Sequence, residues 1–295
     1  MIFYLFLLAL VPPLLVMMLI YFTDRFEKEP LHLIFFCIAG GVLTTFIITL
    51  TVKWFPGLYR IELASPFLQA ALNSFIQAGV VEETLKFAVV YILVVKSRHF
   101  NEPFDAVVYY VAVAVGFALI ENLGYIFMGS YEAIEYAGQT GLYAPFLRIS
   151  AFMAVMRSLP AHMVFAGLSG YFVAQYKFRR SPHGGQWLWM AWGVGVIVHG
   201  VFNFLLYVMP GAVDTIAAAG WLFLAAGAGV LLNIQLLLAS PLNRPQRLWS
   251  KRLKREFNES RTYSRHNLLR LILYTICTMA VVIGTYYLNR WILTG

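Results

Sequence analysis

Residues 31–53 read LHLIFFCIAGGVLTTFIITLTVK, with no charged side chain until Lys53 at the end. A helix of roughly 20 such residues, rising 1.5 Å at each, crosses the roughly 30 Å hydrocarbon layer of a bilayer. Runs of this kind recur along the chain, at about 2–22, 31–53, 67–95, 104–128, 146–176, 187–208, 213–238 and 268–289. They predict an all-α fold, a polytopic transmembrane bundle of about eight helices, because a soluble core helix rarely stays apolar for so long. Composition agrees: 60% of the 295 residues are hydrophobic and 12% are charged, where a soluble domain carries roughly 25% charged residues. Mean hydropathy is +0.72.

The first run has no Lys or Arg before it and is too long for a cleaved signal peptide, so it reads as a span. Pro12 and Pro13 are expected to kink it. The third and fifth runs exceed the membrane thickness and must tilt, bend or protrude. Cys37 and Cys277 both fall inside spans, offering neither a disulfide framework nor a CxxC metal site. No fixed-period repeat divides the chain, so residues 1–295 are read as one membrane-embedded domain.

Lys and Arg crowd into alternate loops. Arg25 and Lys28, then Lys96 and Arg98, then Lys177, Arg179 and Arg180, and finally a basic stretch from Arg244 to Arg265 follow the odd-numbered spans. Only Lys53, Arg60, Arg148 and Arg290 lie on the other side. The positive-inside rule then predicts both termini outside. The same bias accounts for most of the net charge of +8, so no nucleic-acid partner is needed. Within residues 243–266, Trp249, Leu253 and Phe257 recur every fourth position among Arg247, Lys251, Arg252, Lys254 and Arg255. This segment reads either as a basic amphipathic helix on anionic lipids or as a solvated cytoplasmic loop.

Charged side chains inside a bilayer cost about 2.5–3.5 kcal/mol each on insertion scales, so the few that occur mark function. They are Glu82, Glu83 and Lys86 in the third span, Glu121 beside Asn122 in the fourth, Arg157 and His162 in the fifth, and His199 with Asn203 in the sixth. Glu83, Glu121, His162 and His199 lie roughly 12 to 17 residues from the cytoplasmic ends of their spans, which is about 18–25 Å deep. Four helices therefore offer ionisable groups to one layer, and a single shared site is the economical reading. His199 and Asn203, four apart, share a helix face, as do Glu121 and Tyr125. Lys86 lies one turn on from Glu82 and Glu83 and can neighbour both. Gln69, Asn73, Gln77 and Thr84 add a polar stripe that lies nearer Glu83 than Glu82. Arg157 is a candidate partner of Glu121, and Asn122 a candidate helix–helix hydrogen bond.

Two adjacent carboxylates in low dielectric cannot both ionise easily. Such a pair is suited to general-base work on water and then to acid work toward a leaving amine, while Asn and His donate to an oxyanion. The same parts also suit a proton-coupled membrane transporter, and the residues alone leave both readings open.

Glu82-Glu83-Thr84-Leu85-Lys86 resembles the EExxK motif of the PrsW family of intramembrane proteases. Three further stretches resemble that family in the same order: 117–125 (FALIENLGY), 157–170 (RSLPAHMVFAGLSG) and 199–203 (HGVFN). Residues 24–30 (DRFEKEP) resemble its short charged first loop, and the match spans about residues 20–210. The wider superfamily of CAAX prenyl proteases and bacteriocin-processing enzymes typically has EExxxR. Phe87 stands at the arginine position here, which favours the PrsW branch. The resemblance implies a multi-pass enzyme of the bacterial cytoplasmic membrane, cutting membrane-anchored proteins of the anti-sigma-factor type. It implies a catalytic set of Glu82, Glu83, His162 and His199, supported by Glu121 and Asn203. In a glutamic-type site, Glu82 or Glu83 activates water while His162, His199 and Asn203 hold the oxyanion. In a metallo-type site, Glu83, His162 and His199 bind zinc. No HExxH is present, so zinc ligands would come from three separate helices; the glutamic type, with no cofactor, is preferred.

Overall fold

In a computed structural model, residues 2–24, 28–128, 158–178, 184–208 and 212–239 are described, and every regular element among them is helical. Helix α1 (Ile2–Thr23) runs through Pro12 and Pro13. Pro30, at φ −65°, sets up α2 (Leu31–Trp54), which ends with Lys53 in its last turn. That placing of proline and cation suits the start of a helix and the negative end of its dipole. A single turn, α3 (Pro56–Tyr59), follows.

The third apolar run becomes one long rod. Ser65 caps it by accepting from the Leu68 N–H, and Pro66 opens α4 (Pro66–Ala71). The rod continues as a π-helical stretch, Leu72–Val80, then α5 (Val81–Val90), then a second π stretch, Tyr91–Val95. Nine consecutive π-helical residues are unusual, since π geometry mostly appears as single-turn bulges near functional sites. Glu82 and Glu83 begin immediately after it.

Helix α6 (Asp105–Leu123) is the axis of the bundle, and every residue from Asp105 to Leu119 is buried. Its sequence is apolar all round, as a fully enclosed helix requires. Asp105 Oδ2 accepts the N–H groups of Asn101 at 2.8 Å and Glu102 at 2.6 Å, anchoring the entry. A further π turn, Gly124–Met128, follows α6. Around α6 pack α1, α2 and α7 (Leu159–Phe178). The approach to α2 is backbone to backbone: a Cβ on Gly41 would run into the Val113 carbonyl, and one on Gly116 into that of Ile38. Small residues at crossings of this kind let membrane helices gain close van der Waals contact.

Helix α8 (Gly185–Val208) lies against α7 and the first π stretch, and α9 (Ala212–Ala239) covers α7 and α8. Phe35, Phe36, Leu43 and Phe46 on α2, and Trp189 and Ile197 on α8, are exposed large apolar side chains. In water they would be a liability; on a membrane helix they are the lipid-facing surface. Leu31–Trp54, Asp105–Ile126 and Gly185–Val208 are each long and apolar enough to cross a bilayer. The chain is an all-α membrane helix bundle. The expected eighth span, 268–289, the basic segment 243–266 and the first part of the fifth span lie outside the described residues.

Candidate active site

The polar residues of four spans meet. One donor atom from each of Glu82, Glu83, His162 and His199 lies within 4.8 Å of the others, and the two imidazole centroids are 5.4 Å apart. Glu83, Lys86, His162 and His199 are all buried, while the Glu82 side chain keeps 15% of its exposure.

Lys86 is the hub. Its Nζ is 2.8 Å from Glu83 Oε1, 3.4 Å from Glu82 Oε2 and 3.1 Å from His162 Nδ1. The lysine was expected to reach both glutamates; its reach to a histidine 76 positions away is visible only in the fold. The Phe117 ring lies over the ammonium, 3.9 Å from Nζ to centroid, an arrangement that stabilises an enclosed cation.

These contacts assign the histidine tautomers. Lys86 carries only donors, so His162 Nδ1 accepts and its ring proton sits on Nε2, donated to Glu121 Oε2 at 2.7 Å. On His199 the order is reversed. Nδ1 faces Glu83 Oε1 at 2.9 Å and donates to it, leaving Nε2 to accept from the Asn203 amide nitrogen at 3.1 Å. Both imidazole N–H groups are thus committed to carboxylates. This differs from the expectation that both histidines present donors to an oxyanion. His199 Nε2 also lies 3.9 Å from Glu82 Oε2, which brings the Asn203–His199 pair beside the less enclosed glutamate.

Glu121 is held by three groups: Ser158 Oγ donates to Oε2 at 2.7 Å, Tyr125 OH donates to Oε1 at 3.1 Å, and His162 is the third. Arg157, expected as its partner, lies outside the described residues. Asn122 points elsewhere, donating to the Ala9 carbonyl of α1 at 3.3 Å, which makes it a helix–helix link. Along the polar stripe, Gln69 donates to Asn73 at 2.8 Å, and Thr84 accepts from Trp192 at 2.9 Å.

Four residues at the site escaped the sequence reading. Ser158 and Phe117 contact Glu121 and Lys86. Gly195 lets Ser169 and Glu83 pack against its backbone, since a Cβ there would lie 2.8 Å from Ser169 Oγ and 3.2 Å from Glu83 Oε2. Helical spacing could have flagged them: Ser158 and His162, Gly195 and His199, and Phe117 and Glu121 are each four apart, and Ser169 is two turns beyond His162.

The model of the PrsW family intramembrane metalloprotease matches residues 29–234, most of the chain. The chain belongs to the PrsW family of intramembrane proteases. Among curated relatives, Protease PrsW of Clostridioides difficile is 35% identical over 206 residues, covering 69% of this chain and 79% of that protein. Protease PrsW of Geobacillus kaustophilus is 28% identical over 186 residues, covering 63% and 72%. That of Bacillus subtilis is 24% identical over 198 residues, covering 67% and 80%. No solved structure matches. Family membership makes the chain a peptidase of the membrane, and nothing in the comparisons supports the transporter reading. All four of the clustered acids and histidines fall inside the matched region.

Proposed function

We propose that the chain is an intramembrane endopeptidase of the bacterial cytoplasmic membrane in which Glu82 activates water against a peptide bond of a membrane-anchored, anti-sigma-factor-like protein. The observation that carries this reading is the convergence of Glu82, Glu83, His162 and His199 within 4.8 Å, on helices from three separate parts of the chain. Glu82 is favoured as the base because it is the less enclosed carboxylate of the pair, the one a water and a substrate can reach. Water that donates a hydrogen bond to Glu82 loses that proton to it as the water oxygen attacks the carbonyl carbon. The oxyanion is met by the Asn203 amide, through the N–H that His199 does not take. Glu82 then returns the proton to the leaving amine as the C–N bond breaks. Glu83 holds His199, and Glu121 holds His162, each by fixing a ring N–H.

The family description includes a metal, and the donor types suit zinc: a carboxylate and two histidines make a legitimate set. Glu121 behind the far nitrogen of His162 also matches the carboxylate–histidine pairing that metal sites use. The space does not suit it. Lys86 Nζ stands within hydrogen-bond reach of three of the four would-be ligands. No step of the proposed reaction passes through a metal.

Co-expression with a tagged single-span anti-sigma-type membrane protein tests the reading. The wild type releases a fragment cut within or beside the span, and Glu82→Gln releases none. Equal cleavage by the variant would refute the assignment.

A further inference from the structure

The surroundings of Lys86 resemble those of a bound metal more than those of an ordinary ion pair. The ammonium has three N–H donors and three acceptors around it: Glu82 Oε2, Glu83 Oε1 and His162 Nδ1. Carboxylate oxygens and imidazole nitrogens are ligand types that zinc takes from a protein. The Phe117 ring closes the remaining side, and Lys86 itself is 1% exposed. These acceptors belong to the same group whose donor atoms lie close enough together to hold an ion. A divalent ion placed there would sit against a fixed positive charge, within hydrogen-bonding distance of the ligands it must share.

We propose that Lys86 is a built-in cation that occupies the metal position of this cluster and excludes divalent metal, and that neutralising it converts the site into a zinc site. The inference rests on the metal-free reading above. It explains why a donor set so suited to zinc can serve a glutamate-based hydrolase. The two carboxylates need a cation in a low-dielectric layer, and a tethered ammonium supplies one that no chelator removes. It also predicts a latent preference: with Lys86 gone, Glu82, Glu83 and His162 are left as an acidic, soft-nitrogen pocket with no counter-ion, and His199 is close enough to join it.

Full-length protein purified in detergent and stripped with chelator is titrated with Zn2+ and with Co2+, whose tetrahedral complexes absorb visible light. Wild type and the charge-preserving Lys86→Arg should retain no stoichiometric metal. Lys86→Met and Lys86→Gln should bind about one equivalent, at least about tenfold more tightly than wild type, given the repulsion removed. Because the neutral variants leave two carboxylates uncompensated, they should melt lower than wild type, and added Zn2+ should raise their melting temperature by linkage. Wild type that binds one zinc tightly with Lys86 intact overturns the proposal. So do neutral variants that neither gain metal nor melt higher with it, and so does a neutral variant that fails to accumulate even in zinc-supplemented cells. Cleavage by chelator-treated wild type and by Glu82→Gln, measured on the same preparations, reports on the hydrolytic reading separately.

Discussion

Glutamine substitutions at Glu82 and Glu83 should have different consequences, although the two residues are adjacent and chemically alike. Glu83 is 1% exposed, and its Oε1 takes both Lys86 at 2.8 Å and His199 at 2.9 Å. Glu83→Gln keeps the size of the side chain but leaves an enclosed ammonium with only Glu82, at 3.4 Å, as its carboxylate. Breaking a buried ion pair in this way costs about 3–5 kcal/mol, so the variant should melt several degrees lower and lose activity together with His199 alignment. Glu82 is less enclosed and its link to Lys86, at 3.4 Å, is longer than that of Glu83, at 2.8 Å, so Glu82→Gln should lower stability less than Glu83→Gln. Its loss of activity should nevertheless be about 10²–10⁴-fold, the usual worth of a general base. The assays are cleavage of a single-span substrate in proteoliposomes and thermal unfolding in the same lipid. Glu82→Gln retaining more than about a tenth of wild-type activity would refute the base assignment. Glu83→Gln as stable as wild type would refute the account of Lys86 as the counter-ion hub.

Gly195→Ala should fold yet turn over more slowly than wild type, because its Cβ would lie 2.8 Å from Ser169 Oγ and 3.2 Å from Glu83 Oε2, so both side chains must shift and the catalytic geometry loosens. Gly193→Ala, with nothing within 4 Å of its new methyl, is the control and should behave as wild type. Gly116→Ala meets the Ile38 backbone, which cannot give way as a side chain would, and should destabilise the bundle by about 1–3 kcal/mol or more, measured by thermal unfolding against an open-space Gly124→Ala control. In a background lacking Cys37 and Cys277, a cysteine replacing exposed Arg98 should label from the cytoplasmic side and one replacing exposed Glu62 from outside. The opposite pattern would invert the topology drawn from the charge bias.

The membrane class, the all-α bundle and the pairs within one helix were legible in the amino-acid sequence. Glu121 with Tyr125, His199 with Asn203, and Lys86 between Glu82 and Glu83 all follow from 1.5 Å of rise and 3.6 residues per turn, which a linear pattern carries. The π-helical stretch Leu72–Val80 was not legible, because nothing in its composition separates it from α-helix. Nor was the choice of partners between helices: Glu121 for His162, Glu83 for His199, and Lys86 for His162. Depth places a residue along its own helix axis, but the rotation of that helix toward its neighbours is set by packing. Here the backbone contacts at Gly41 and Gly116, and the Ser169 and Glu83 side chains packed on Gly195, fix those rotations. The enclosure of Glu83 against the openness of Glu82, the two histidine tautomers and the ammonium at the centre of the site follow from that packing, and no local period encodes it.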